Sequence, residues 1–491
     1  MPLLAAAAVI AAGSAAAVHY AGAGLTLSHY DARAHLVVAR RIVDSLTPGW
    51  QQIGAVWLPL PHLLNLVPVQ FDVLYRTGAS AVVISILSLG LAAWALASVI
   101  LRTTGSASGA VAAGALLISN PNVLYLQSTP MTEPVLFGTT MAAIALTARW
   151  IEEQDGRGWP VAAGMAMAAA CLTRYEAWPV AAATVAIAGC VALRRGTTLR
   201  EAAVACARLA AYPAAATTLF LVNSRWTVGD WFVSGGFFVA ENVEALGHPI
   251  VAWDQVREGL YRLSGTALVW SGYAGAVLTA IAFVRSKSRA PVLLVLALAA
   301  AAALPWYAYM QGHPFRIRYD VPLVAACAAL AGAGVGLLWT RVRPVAAAAL
   351  VAAALWQSPP LDRTAPLIVE SQRDAANLAG RRAVTAYLRS HYDGRTIMMS
   401  MGSLGHYMQD LSSERLRIRD FLHEGNGDIW NFALLDPRNV VGWIMIEERA
   451  EGGDIVFAST TRNPKLLEGF SRVAEGGGVA LYRRRSTVPG F

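Results

Sequence analysis

Charge is scarce in this 491-residue sequence: Asp, Glu, Lys and Arg make up 14%, against about 25% in an ordinary soluble domain. With 56% apolar residues and a mean hydropathy of +0.47, the composition excludes disorder and collagen and points to a polytopic membrane protein. Lysine is almost missing, with only Lys287 and Lys465 among 39 basic residues, and the bias toward arginine carries no functional reading. The four cysteines, Cys171, Cys190, Cys206 and Cys327, lie in or beside apolar runs. There they behave as small hydrophobes, which excludes a disulfide scaffold and cysteine metal ligation. A Walker loop, HExxH, CxxC and a GxGxxG following a strand are all missing.

What is present is a series of apolar stretches free of Asp, Glu, Lys and Arg. A bilayer crossing needs about 20 helical residues, and roughly eleven stretches approach that, near 2–27, 79–101, 109–128, 131–148, 159–173, 177–193, 207–223, 263–284, 290–310, 320–340 and 344–358. The first has no basic n-region and too long an apolar run for a signal peptide, so it reads as a span. Gly332, Gly334 and Gly336 within the tenth suit a close helix–helix approach.

Charge sidedness gives orientation. If the N-terminus is cytoplasmic, the short inner connections hold twelve Arg/Lys and four acids, while the outward loops hold ten and eleven and the remainder from Asp362 seventeen and sixteen. The whole net charge of +8 thus lies on one side, as the positive-inside rule requires. The high pI reports this topology, and nucleic acid is not an expected partner. An odd number of spans places the C-terminus outside. From 362 to 491 the composition is that of a small α/β module, with an amphipathic helix near 371–391 and β-rich runs at Thr396–Met401, Val440–Ile446 and Val479–Tyr482. The expectation is an all-α membrane domain over 1–361 and a soluble extracytoplasmic domain over 362–491.

The long loops face outward, so chemistry is sought there. The first begins His29-Tyr30-Asp31-Ala32-Arg33-Ala34-His35. Leu36, Ala39, Val43 and Leu46 then share one helical face and Arg33, Arg40, Arg41 and Asp44 the other, the pattern of a helix lying in the membrane interface. Asp31 at its start is either a base tuned by partial desolvation or a helix N-cap. Trp57-Leu58-Pro59-Leu60-Pro61-His62 is a rigid segment that reads equally as a packing turn. Met131-Thr132-Glu133-Pro134 places a carboxylate at a membrane boundary, where it is costly unless paired or used; Thr132 or Ser128 as a helix cap is the plainer reading. Thr173-Arg174-Tyr175-Glu176 is a tight hairpin whose charges either pair with each other or serve a ligand. His313-Pro314-Phe315-Arg316-Ile317-Arg318-Tyr319-Asp320 offers two arginines suited to an oxyanion, unless they snorkel to the interface. The loop after Asn223, with Trp231, Phe232, Phe237, Phe238 and His248, reads as a pocket wall or a packed lid.

The order and common sidedness of an outward Asp after span one, an interfacial helix, Met-Thr-Glu-Pro before span four, Arg-Tyr-Glu after span five and Arg-x-Arg-Tyr-x-x-Pro entering a late span resemble the GT-C superfamily of membrane glycosyltransferases. Within it the likeness is to bacterial relatives of protein O-mannosyltransferases and aminoarabinose transferases, over roughly 1–345. The resemblance implies a polyprenyl-phosphate sugar as donor, Asp31 as base, Glu133 as a second acid or metal ligand, and Arg174, Arg316 and Arg318 at the lipid phosphate. Arg33, His35, Trp57, His62, Tyr175, Glu176, His313 and Tyr319 are then candidates for substrate contact. Ala32 follows Asp31 where protein O-mannosyltransferases carry an acidic pair, so neither a protein acceptor nor a divalent metal is required by the match. The expected activity is an inverting transfer to a hydroxyl of a glycolipid, polysaccharide or protein at the outer face of the bacterial cytoplasmic membrane. A transporter or lipid flippase is the main rival, but it would place charges inside the spans. A cell-envelope scaffold acting through its outer domain is the third reading.

Overall fold

A computed structural model of the chain describes residues 1–154, 156–233, 242–412, 415–449 and 453–485. Among them, eight helices are long and apolar enough to cross a membrane: Pro2–Gly22, Ala79–Thr104, Glu133–Glu153, Ala177–Arg195, Leu199–Val228, Pro249–Arg285, Ala290–Met310 and Ile317–Leu337. The count of eleven needs correction at three places. The third expected span is a pair, Ala107–Ser119 and Pro121–Gln127, bent by 71°. The fifth and eleventh, Val161–Cys171 and Arg343–Gln357, are shorter than a crossing requires, since 11 residues rise only about 16 Å.

The bend has a local cause and a distant complement. Pro121 has no N–H to donate, and the Asn120 side chain accepts from the amides of Asn122 and Val123, which starts a new helix. Across the bundle, Pro249–Arg285 is broken at Gly265, whose φ of 73° favours glycine. That break frees the Leu263 carbonyl and the Ala267 amide. Asn120 and Asn122 donate to the first at 2.7 and 3.1 Å, and Gln357 accepts from the second at 2.8 Å. In lipid every freed backbone group needs such a partner, so the two breaks stabilise each other.

Ile317–Leu337 is the buried axis of the bundle. Its glycines act as the pattern suggested: a Cβ on Gly332 would meet Ala113 and the Gly109 carbonyl, one on Gly334 would meet Gly275, and one on Gly336 would meet Thr104.

The C-terminal part carries a five-stranded mixed sheet, ordered β2-β1-β3-β5-β4. β1 (Ile397–Met398) pairs in parallel with β2 (Phe421–Leu422) and β3 (Trp443–Glu447), while β4 (Phe470–Gly476) and β5 (Val479–Arg484) form an antiparallel hairpin beside β3. The helix Ala375–His391 packs on that hairpin. The three β-rich runs coincide with β1, β3 and β5. Ala365, Leu367 and Ile368 still pack in the membrane core, so the chain passes from one core to the other after Ser371, beyond the boundary expected at 361.

The apolar face of the helix Tyr30–Arg41 is covered over its first turns by protein, where its pattern alone suggested lipid. Leu36, Val37 and Ala39 share a core with Tyr407, Met408 and Phe421 of the C-terminal part. Its polar face is also covered: Arg40 is held by Asp72 at 2.6 Å, and Asp44 by Arg419 at 3.0 Å. Amphipathicity cannot distinguish lipid from protein as the apolar partner. The first long loop and the C-terminal domain therefore stand on one side of the bundle.

Candidate active site

Four separated segments deliver charge to one place. His29 caps Tyr30–Arg41, its Nδ1 accepting from the Asp31 amide at 3.1 Å, so Asp31 is not the cap and its carboxylate is free to turn elsewhere. It faces Arg318 at 2.5 Å. Arg318 comes from the turn Ile317–Asp320, which enters the buried axial helix, and its Nε lies 3.4 Å from Glu133. Glu133 opens its helix and is fully buried; Arg174 reaches it at 3.0 Å. Arg174 also holds Glu176 at 2.6 Å and donates to the Thr132 hydroxyl at 3.0 Å. The result is an alternating chain, Asp31, Arg318, Glu133, Arg174, Glu176.

This arrangement bears on four expectations. Arg318 is buried against acids instead of snorkelling to the interface. Thr132 does stand at the N-cap position before Glu133, its carbonyl accepting from the Leu136 amide, while its hydroxyl accepts from Arg174; Ser128 donates to the Leu124 carbonyl. The arginines are not short of acids either, because three carboxylates already face two guanidinium groups; a phosphate must compete for them. Asp31 differs most from its reading. Burial works to raise its pKa, but Arg318 above all outweighs that and leaves it lowered to about 2. Desolvation alone does not tune it toward base chemistry; it is a firmly ionised carboxylate.

The remaining candidates divide. His35 follows Asp31 by one helical turn and lies 3.1 Å from His62, and Trp57 packs over both rings at 4.1 and 5.9 Å between centroids. Arg33 turns away: it pairs with Asp410 of the C-terminal domain and donates to the Leu27 carbonyl, so its work is at the domain junction. Tyr175 donates to the Val56 carbonyl at 3.1 Å and joins a ring cluster with Trp178, Phe220 and Phe232. Tyr319 lies beside Arg318 and against His313, at 5.8 Å from the guanidinium and 5.3 Å between rings. Arg316 is half-buried two residues before Arg318, its carbonyl accepting from Tyr309. Trp231 and His248 are exposed, and Phe237 and Phe238 lie outside the described residues.

Two acids escaped the sequence reading. Asp320 is fully buried against Gly259, where a Cβ would collide with it, and neither oxygen has a hydrogen-bond partner among the described residues. Glu370 is buried too, with burial first among the causes that raise its pKa and Arg318 opposing it. Its neighbour Ser371 bonds Ser28 at 3.1 Å, just before His29. Asp320 was visible as the end of the Arg-x-Arg-Tyr run; Glu370 lies beyond the assumed boundary and had no local signal.

Among the described residues no three His, Cys, Asp or Glu side chains converge. Arg318 stands between Asp31 and Glu133, where a cation bridging the two carboxylates would need to sit.

Neither a protein-family model nor a curated protein matches the chain. Solved structures do. The chain is similar to ArnT from Cupriavidus metallidurans bound to undecaprenyl phosphate, with a TM-score of 0.53 and 14% identity over 97% of this chain and 98% of that one. The apo state of the same protein gives 0.55 and 13% over 96% and 98%. At this identity the likeness is one of fold: this multi-pass chain has the fold of ArnT.

Proposed function

We propose that the protein is an inverting glycosyltransferase that moves a sugar from a polyprenyl-phosphate donor to an acceptor hydroxyl on the outer face of the bacterial cytoplasmic membrane, where its C-terminal domain also lies. The observation that carries this is the buried ion pair of Asp31 and Arg318, set at the end of a spanning helix within a GT-C fold. Undecaprenyl phosphate is bound by the similar ArnT; a lipid of that class suits a site at membrane depth, because its hydrocarbon stays in the bilayer while its phosphate meets arginine.

The chemistry follows from charge exchange. When donor phosphate takes hydrogen bonds from Arg318 and Arg174, Asp31 loses the counter-charge that depresses its basicity. The acceptor oxygen then forms its bond to the anomeric carbon, its proton passes to Asp31, and the bond from that carbon to the phosphate oxygen breaks. The electron pair departs with polyprenyl phosphate, whose charge the guanidinium groups stabilise. Attack opposite the leaving group inverts the sugar. General-base help of this kind contributes about 100- to 10,000-fold in rate. Broken spans of the type found in transporters are present at Asn120 and Gly265, but the Leu263 carbonyl and the Ala267 amide freed there are taken by Asn120, Asn122 and Gln357.

The test is a deletion strain complemented with wild type or Asp31→Asn, with membrane glycolipids read by mass spectrometry. Wild type should consume an accumulated donor lipid and restore a product, identifying both substrates. Asp31→Asn should restore at most about 1% of that product while still binding undecaprenyl phosphate. Restoration of most of the product by Asp31→Asn would remove the proposed base.

A further inference from the structure

The two histidines beside Asp31 carry a proton assignment. His62 Nδ1 lies 3.2 Å from the Leu58 carbonyl oxygen, and a carbonyl only accepts, so this nitrogen holds the ring proton. Burial lowers the pKa of both histidines, to about 3 for His62 and well below the usual range for His35, so each ring is neutral. In a neutral His62 the other nitrogen, Nε2, is bare and must accept. Its partner at 3.1 Å is His35 Nδ1, which therefore donates. His35 Nε2, on the far edge of its ring from His62, is then a lone pair, one helical turn after Asp31 on the same face of Tyr30–Arg41. Trp57 packs over both rings and restricts their rotation.

We propose that His62 is a positioning residue that fixes His35 as the Nδ1–H tautomer, so that His35 Nε2 accepts a hydrogen bond from a substrate hydroxyl beside Asp31. A free neutral imidazole favours the opposite tautomer, in which Nε2 carries the proton and repels that hydroxyl hydrogen. His62 reverses this preference without touching substrate. The hydroxyl belongs either to the donor sugar or to the attacking acceptor. What the lone pair meets rests on the transferase reading; the tautomer does not.

The experiment uses full-length protein labelled with 15N-histidine in lipid, with and without undecaprenyl phosphate, and reads the ring-nitrogen signals of His35 by assigned NMR. Nδ1–H with a bare Nε2 is expected; Nε2–H or a charged His35 overturns the proposal. Variants separate positioning from mere packing. His62→Gln reaches the place of Nε2 and should keep both the tautomer and product formation within about threefold. His62→Asn reaches only the place of Nδ1, and it should lose the tautomer together with about tenfold of product formation, the worth of one hydrogen bond near 1.4 kcal/mol. Equal activity of the Gln and Asn variants overturns the proposal. With donor lipid extracted from the deletion strain, a raised donor KM in His62→Asn assigns the hydroxyl to the sugar, and an unchanged donor KM with lowered kcat assigns it to the acceptor. Absence of any transfer by wild type would instead strike the transferase reading and leave the tautomer measurement standing.

Discussion

Two buried arginines in this molecule make opposite use of their charge. Arg381, in the C-terminal domain, is held on three sides: it donates to Asp374 at 2.6 Å, to the Gly477 carbonyl at 3.2 Å and to Glu447, tying the helix Ala375–His391 to the β4–β5 hairpin and to β3. Arg318, at the membrane end, faces two acids delivered by other helices, Asp31 at 2.5 Å and Glu133 at 3.4 Å, and shares the second with Arg174. A guanidinium that ties a helix to a hairpin and a strand fastens a fold. One that meets a cluster of acids at the end of a spanning helix is, on the proposed reading, where a donor phosphate competes for the fork.

That contrast is sharpest in a Lys exchange, which keeps charge and loses the planar fork. Arg381→Lys should cost about 3 kcal/mol of stability, read as a lowered unfolding midpoint in detergent, and leave undecaprenyl phosphate affinity within about twofold. Arg318→Lys should do the reverse: a stability change under about 1 kcal/mol, and about tenfold weaker binding of undecaprenyl phosphate by titration. If the two variants lose stability equally and neither changes lipid binding, the comparison fails and Arg318 is another fastener.

Acid gives the smallest effect. The ordinary carboxylate value of Asp31 is 3.8 and its folded value about 2, so its ion pair adds stability that is complete above about pH 4 and lost as pH falls through about 2. The amount is about 2 kcal/mol. Stability measured across that window should fall with pH in wild type and fall less in Asp31→Asn. Asp374 is also lowered to about 2, with burial opposed by hydrogen bonds from His406 and Asn377, but it is half-exposed and solvent screens it. Asp374→Asn should therefore flatten the acid limb less than Asp31→Asn does.

Much of the site was legible because chemistry-bearing residues are conspicuous at the ends of apolar runs. Asp31, Glu133, Arg174, Glu176 and Arg318 were all marked by their cost at a membrane boundary. The Arg174–Glu176 pair was one of two readings the tight hairpin offered, but the rest of their mutual pairing was not legible, and neither was the separation of Arg33 from Arg318. Both arginines sit beside predicted helices with the same local signature, yet one meets Asp410 and the other Asp31. Likewise the stripe of Leu36 and Ala39 is apolar whatever covers it, and only the C-terminal core decided that protein does.

What the sequence by itself determined is most of the ladder of apolar segments and the α/β character of the C-terminal part. Hydropathy, loop charge and periodicity are sums over neighbouring residues, and no long-range contact is needed to evaluate them. Only the tertiary structure decided which carboxylate faces which guanidinium, which span breaks at Gly265 because Asn120 can answer it, and which ring nitrogens of His35 and His62 meet. Those outcomes join segments far apart in the chain, and the energy of a buried charge or an orphaned carbonyl depends on the group that packing brings opposite it.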